Sequence, residues 1–338
     1  METKRLETTE KSYVTSINTA TEILKNGGIV AIPTETVYGL AASAYDDNAI
    51  KKVFAAKGRP QDNPLIVHIA NMEMLSEIAE DISEKALECA RKFWPGPFTM
   101  VLKKKNSIAA SVSAGLSSVA VRMPSNKIAR DIIKESSLPL AAPSANSSGK
   151  PSPTEPQHVL SDLDGKIDAV VMGEICEVGV ESTVVTFLGE HPSLLRPGAV
   201  TLEQLREVLP DITVDKAVLS ELEQGQEAAS PGMKYKHYSP KAEVFLVEGD
   251  GFAEFVNEKQ NCFAICFLEE LNRVNVPKIE YGSEEDAQTL AKNIFSALRE
   301  VDKLNAKTVY VHAPKKTGVG LAVYNRLIRA AAFKVIKL

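Results

Sequence analysis

The stretch from Gly27 to Ala44 constrains this chain more than any other. Two glycines lead into an apolar run, Ile29-Val30-Ala31-Ile32, which Pro33 stops because proline has no N–H to give to a sheet ladder. Four polar-tipped side chains follow within five positions, Thr34, Glu35, Thr36 and Tyr38. The small residues Gly39, Ala41, Ala42, Ser43 and Ala44 come next and allow close packing. Strand ends on a rigid scaffold are where α/β proteins place binding and catalytic groups. A strand with a capped turn explains an isolated Thr-Glu-Thr equally well, so the later stretches decide.

The same delivery recurs along the chain. Ile17, Ala20, Ile23 and Leu24 form a helical stripe ending at Asn26-Gly27, with glycine suited to the left-handed position after a helix. Asp46 and Asp47 cap a helix that carries Ile50, Val53 and Phe54 on one face and runs out at Lys57-Gly58-Arg59-Pro60. Taken alone, Lys57 and Arg59 are cations complementing a helix C-terminus. Leu65 to Ile69 reads as a buried strand with His68 inside it, and two helices fill Met72 to Phe93. Trp94-Pro95-Gly96-Pro97 then breaks the chain before a strand from Phe98 to Lys103.

Arg122 stands among apolar neighbours in the strand Val119 to Pro124. A charge there is costly unless paired, so it should meet a carboxylate or phosphate, from the protein or from a ligand. After a helix from Lys127 to Glu135, the segment Leu138 to Gly149 again brings hydroxyls and an amide to a strand end. Small polar residues with glycine expose backbone N–H groups to an anion, yet neither a P-loop nor a dinucleotide fingerprint is present. Strands at Asp168 to Met172, Ser182 to Leu188 and Leu194 to Gly198, with a helix from Thr201 to Leu209, complete this unit.

At 338 residues the chain is too long for one ordinary core. Its composition shifts where a second would begin: Glu221 to Ala229 is acidic and weakly apolar, like a linker. Ser230 to Pro240 then carries Tyr235 and Tyr238 with Lys234, Lys236 and His237. Such a segment suits a lid that stacks on a base or closes over phosphates; packing one domain on the other is the plainer use. From Ala242 strand and helix alternate, as in a small parallel α/β unit. The expected divisions are 1–210, 211–240 (an interdomain linker over the active site) and 241–338.

A formal net charge of −5 is a poor footprint for gripping nucleic acid, although Lys103-Lys104-Lys105 leaves room for a weak local RNA contact. Cys89, Cys176, Cys262 and Cys266 form no CxxC pair and the five histidines show no ligand spacing, so no metal site built by protein side chains is expected. No apolar run approaches the ~20 residues that span a bilayer. The polar N-terminus has no signal-peptide core, so a cytoplasmic protein is expected.

Taken in order and spacing, PTETVYGL, KGRPQDNPL, FWPGPFT, AVRMPS, APSANSSGKPSPT, ESTVV and LLRPGA resemble the YrdC-type domain. SPGMKYKHYSP and GLAVYNRLIRAAA resemble the longer, two-domain members, the threonylcarbamoyl-AMP synthases, so the resemblance covers nearly the whole chain. It implies a strongly twisted mixed α/β sheet with a concave cleft, followed by a small Rossmann-like α/β domain without the phosphate fingerprint. It implies a nucleotidyltransferase that joins L-threonine, bicarbonate or CO₂, and ATP into L-threonylcarbamoyl-AMP and pyrophosphate. The product would feed a downstream tRNA threonylcarbamoyl transferase acting on the adenosine beside the anticodon, and a monomer is expected.

By the same resemblance Lys57 and Arg59 would be the catalytic cations. Lys57, Arg59, Asn63, Ser118, Ser144, Asn146, Ser152, Arg196 and Tyr235 would hold ATP, whose Mg²⁺ would be carried by phosphates and water. Thr36, His68, Arg122, Ala142 and Ser182 would hold threonine, with Arg122 taking its carboxylate in bidentate fashion. Two rivals stand beside this. A carbamoyl-AMP-forming module, as in hydrogenase maturation factors, shares the domain but comes with zinc-finger CxxC clusters that this chain lacks. An RNA-binding module on the concave face is opposed by the acidic balance.

Overall fold

The computed structural model describes residues 2–220 and 238–338, and these form two sheets. The first is assembled from β1 (Lys4–Glu7), β2 (Val30–Ile32), β3 (Gly39–Ser43), β4 (Ile66–His68), β5 (Ala79–Glu80), β6 (Phe98–Lys104), β7 (Ser118–Arg122), β8 (Leu140–Ala141), β9 (Ala169–Met172), β10 (Thr183–Thr186), β11 (Ser193–Arg196) and β12 (Thr213–Val214). Its helices are α1 (Tyr13–Lys25), α2 (Asp47–Lys57), α3 (Met72–Ile78), α4 (Glu84–Phe93), α5 (Lys127–Ser136), α6 (Pro156–Leu163) and α7 (Leu202–Val208). The strands run in the order β1-β9-β2-β3-β8-β4-β7-β6-β10-β11-β12, with β5 on β6, and parallel and antiparallel pairs are mixed. The second sheet, β15-β14-β16-β13-β17, is parallel throughout: β13 (Glu243–Glu248), β14 (Phe263–Cys266), β15 (Lys278–Glu280), β16 (Thr308–His312) and β17 (Val335–Lys337). Helices α8 (Phe252–Asn257), α9 (Ala287–Lys303) and α10 (Gly318–Ala330) connect it. The mixed sheet with a parallel α/β unit behind it is the architecture that the sequence motifs implied.

Local chemistry explains how the elements aim at one place. The Asp46 carboxylate caps α2 by accepting from the backbone N–H groups of Asn48 and Ala49, and Gly58 closes the helix in the left-handed region at φ 62°. That stop turns Lys57 inward and leaves Arg59 beyond the helix. Parallel pairing sets His68 opposite Arg122, and antiparallel pairing sets Arg122 opposite Thr99. Paired residues share a sheet face, so His68, Arg122 and Thr99 form one row at the ends of β4, β7 and β6.

The two cores meet along a seam. Val37, Val180 and Tyr238 pack with α9 and α10 in the second core. The approach is close enough that a Cβ on Gly179, at φ +80°, would lie 2.4 Å from the Ala291 carbonyl oxygen and from Lys292 Cα.

Several elements depart from the sequence expectation. Gly39 to Ser43, expected only to allow close packing, form the central strand β3; glycine and alanine favour strands weakly, and burial on both faces specifies this one. β1 buries only Leu6, and α6 mixes polar with apolar burial, so neither shows a clean period. The first sheet also continues past the expected boundary at 210, because β12 pairs with β11 through two exposed residues that carry no apolar pattern. Tyr235 and most of the expected lid fall at 221–237, outside the described residues. Among the described residues, no helix is long and apolar enough to cross a membrane. Lys103 pairs with Asp81 and Glu80, Lys104 bonds Ser113 and Lys105 bonds the Ser76 carbonyl, so that basic run is held locally.

Candidate active site

A cleft opens where β2, β4, β7 and β8 end. Its walls include Thr34, Thr36, Arg59, His68, Arg122, Ala142, Ser144, Glu181, Ser182, Arg196 and Tyr238, and it holds about 620 Å³ of space, its open mouth included.

All five residues expected to hold threonine stand in this wall. Thr36 Oγ1 lies 2.8 Å from Thr34 Oγ1 and accepts from Arg122 Nη1 at 2.8 Å. Arg122 Nε donates to the Gly96 carbonyl at 3.3 Å, and Nη2 lies 2.8 Å from Glu35 Oε1. The anion that its buried charge required is therefore Glu35, supplied by the protein. Burial alone would push the Glu35 carboxyl up, but Arg122 outweighs it and holds the group below its ordinary range. Burial first, and the Arg122 charge second, push His68 down to about 3, so its imidazole is neutral at physiological pH. His68 Nδ1 is buried without a hydrogen-bond partner, which leaves it open to a ligand or a water in the cleft. Ser182 Oγ lies 2.7 Å from Thr99 Oγ1 and accepts from Arg196 Nη2 at 3.1 Å.

The residues expected to hold ATP divide. Arg59, Ser144 and Arg196 stand in the cleft wall. Lys57 does not: its ammonium donates to the carbonyls of Ser144 and Asn146 and to Asn146 Oδ1, so it staples the loop from 144 to 146 from behind. Burial pushes Lys57 well below its ordinary value, with the Arg59 charge adding to the effect. Asn146 is likewise turned inward, donating to the carbonyls of Ser147 and Lys150, and Ser152 donates to Glu181. Asn63 is buried with both side-chain polar atoms unpartnered, next to the wall residues Pro64 and Leu65. Ser118 is not brought in: it lies at the other end of β7, four residues and roughly 13 Å from Arg122 at the rise of a strand.

Two features were missed by sequence reasoning, Glu181 and the arginines of the second domain. Glu181, one residue before Ser182, lines the cleft, and so does Tyr238 from the segment expected to act as a lid. Tyr238 packs its ring on Phe295 at 5.2 Å between centroids, which joins the cleft to the second core. The second domain also sends two arginines across the seam. Arg299 Nη2 bonds Asp162 Oδ2 at 2.9 Å, and Asp162 in turn accepts from the Ser147 N–H at 3.3 Å. Arg326 Nε bonds Glu181 Oε2 at 2.9 Å. Burial alone would raise the Glu181 carboxyl, but Arg326, Arg196 and Ser152 hold it below the ordinary range. For Arg326 the signal in the sequence was the arginine-bearing stretch from Gly320 to Ala332, with nothing to indicate its target; Arg299 had no signal.

Two family models match the chain. One, described as telomere recombination (Sua5_yciO_yrdC), covers residues 22–198, and one, described as the threonylcarbamoyl-AMP synthase C-terminal domain, covers residues 200–332. The threonylcarbamoyl-AMP synthase of Pyrococcus abyssi is 43% identical over 328 residues, which is 95% of this chain and 95% of that one. The threonylcarbamoyl-AMP synthase of Bacillus subtilis is 42% identical over 326 residues, 94% and 93% of the two chains. Among solved structures, P. abyssi Sua5 complexed with L-threonine superposes with a TM-score of 0.91 at 40% identity, covering 100% of both chains.

Proposed function

The chain belongs to the threonylcarbamoyl-AMP synthase family, and from that premise we propose how its cleft carries out the reaction. The enzyme is a nucleotidyltransferase of tRNA modification that forms L-threonylcarbamoyl-AMP. Threonine's amine adds to CO₂ with loss of a proton, and a carbamate oxygen attacks the α-phosphorus of ATP. The bond from that phosphorus to the bridging oxygen breaks and pyrophosphate leaves. Such a transfer asks the protein for position and charge, with little covalent work of its own.

In this proposal Arg122 receives the threonine carboxylate, sharing its guanidinium with Glu35, while Thr36 and Ser182 supply hydroxyls beside it. His68, being neutral, adds a hydrogen bond through Nδ1 without adding a charge. Arg59, Ser144 and Arg196 face the phosphates, and Asn63 offers its unpartnered amide. Lys57 acts by holding the loop that presents Ser144. The supporting observation is that all five threonine candidates share one largely buried cleft with these three phosphate-directed groups.

Mg²⁺ would arrive with ATP and neutralise phosphate charge when bound. Among the described residues, no group of three or more His, Cys, Asp or Glu could hold a metal ion. The carboxylates Glu35 and Glu181 are each engaged by an arginine. The enzyme would work as a cytoplasmic monomer and hand its labile mixed anhydride to a tRNA threonylcarbamoyl transferase. The test is to incubate the protein with ATP, Mg²⁺ and each amino acid, with and without bicarbonate. Pyrophosphate release that needs both threonine and bicarbonate is expected; ADP and phosphate as the main products would refute the proposal.

A further inference from the structure

Among the described residues, the largest fully buried side chain is not a core aromatic but Arg326, on α10 of the second domain. Its guanidinium crosses the seam. Besides the Glu181 carboxylate it reaches two main-chain carbonyls, that of Glu181 from Nη2 at 3.1 Å and that of Pro197 from Nη1 at 2.7 Å. Nη1 also lies 3.1 Å from Asn325 Oδ1 and 3.4 Å from the Ala322 carbonyl. Glu181 immediately precedes Ser182, and Pro197 immediately follows Arg196. One side chain thus grips the backbone on the outer flank of two cleft residues. Arg196 closes the ring by donating to the Ser182 carbonyl at 3.0 Å and to its hydroxyl at 3.1 Å.

We propose that Arg326 is a positioning residue for the reaction: through it the second domain holds Ser182 and Arg196, and with them both half-sites, in binding geometry. The proposal rests on the assignment of Ser182 to threonine and Arg196 to phosphates. A buried ion pair is a weak device for stability, since apolar residues of similar volume serve that end as well. The planar fork of arginine instead suits a carboxylate and two carbonyls at fixed angles, which a lysine ammonium cannot span together. The gripped segments also have no slack between them. A Cβ on Gly198 would lie 2.4 Å from the Thr183 nitrogen and 2.7 Å from the Ser182 carbonyl carbon, so a shift of one displaces the other.

The test uses the full chain with Arg326→Lys, Glu181→Gln and a seam control, Glu203→Ala. Glu203 Oε1 accepts from the Gly318 N–H at 3.5 Å, at the opposite end of the same helix and away from the cleft. Threonine affinity is read by calorimetry without ATP, turnover by pyrophosphate release, and folding by the thermal midpoint. Arg326→Lys should weaken threonine binding about tenfold and lower turnover by roughly 10²-fold, the scale of a misplaced binding group. Glu181→Gln should weaken threonine binding a few-fold, and Glu203→Ala should leave affinity and turnover unchanged. If Arg326→Lys does not fold, Glu181→Gln decides by the same affinity measurement. Wild-type affinity in the folded variant, or an equal loss in Glu203→Ala, would overturn the proposal. A wild-type enzyme that binds no threonine would instead refute the reaction assigned above, so the two failures are distinguishable.

Discussion

Replacing Lys57 with methionine separates two roles that look alike in sequence. Lys57 is 4% exposed, and its ammonium is bonded to the carbonyls of Ser144 and Asn146. Methionine fills the channel but donates nothing. Each buried carbonyl left without its donor costs about 1–3 kcal/mol, so two cost roughly 2–6 kcal/mol. The variant no longer has to desolvate a buried cation, which offsets part of that loss. A net destabilisation of roughly 2 kcal/mol is expected, read from urea unfolding at unchanged m-value. The freed loop should misplace Ser144, raise the KM for ATP and lower turnover by roughly 10²-fold. Threonine affinity should stay as it was, because Arg122 and His68 belong to other strands. A full loss of turnover with unchanged stability would mean that the ammonium acts on phosphates directly and that the loop does not depend on it. Lost stability with intact turnover would mean that loop geometry does not limit the reaction.

Three further outcomes are expected. Glu35→Gln strips the anion from the buried Arg122 and should cost roughly 3–5 kcal/mol in denaturant unfolding; a change below 1 kcal/mol on the ~1 kcal/mol scale of a neutral hydrogen bond would refute the ionic pairing. His68 has a folded value of about 3 against an ordinary 6.5, so the unfolded chain binds the extra proton between those limits. Stability should therefore fall as pH drops below about 6.5, by up to ~1.4 kcal/mol per pH unit from this group, and His68→Gln should flatten that part of the profile. Identical slopes in the two proteins would sink the assignment. Gly179→Ala adds a Cβ against the backbone of α9 at a left-handed position, so it should loosen the seam and expose it to limited proteolysis; unchanged protease resistance would contradict the close approach.

What could be read in the sequence followed from burial and chain direction. Arg122 was conspicuous as a charge at the end of an apolar strand, whereas the assignment of Thr36, His68, Ala142 and Ser182 to threonine came from the motif resemblance. The cost of burying Arg122 required a partner anion, and Glu35 was adjacent to Thr36 in the stretch that drew attention first. Lys57 was visible as a cation but not as a staple, because its acceptors include backbone carbonyls that any residue would supply. Arg326 and Glu181 lie 145 positions apart, and no local pattern connects them. β3 escaped because Gly-Leu-Ala-Ala-Ser carries no strand propensity; only its place between β2 and β8 makes it a strand. Ser118 is a motif position that β7 places at its far end from Arg122, outside this cleft wall.

Glu181 bears on how such a gene can change length over time. A descendant that lost its second half would lose the main counter-charge of Glu181 together with the helix that covers it. A descendant that kept both halves but gained a neutral residue at 181 would leave Arg326 buried without its anion, at a cost of about 3–5 kcal/mol. The carboxylate and the arginine therefore hold each other in place across the seam, and either can change only if the other changes with it.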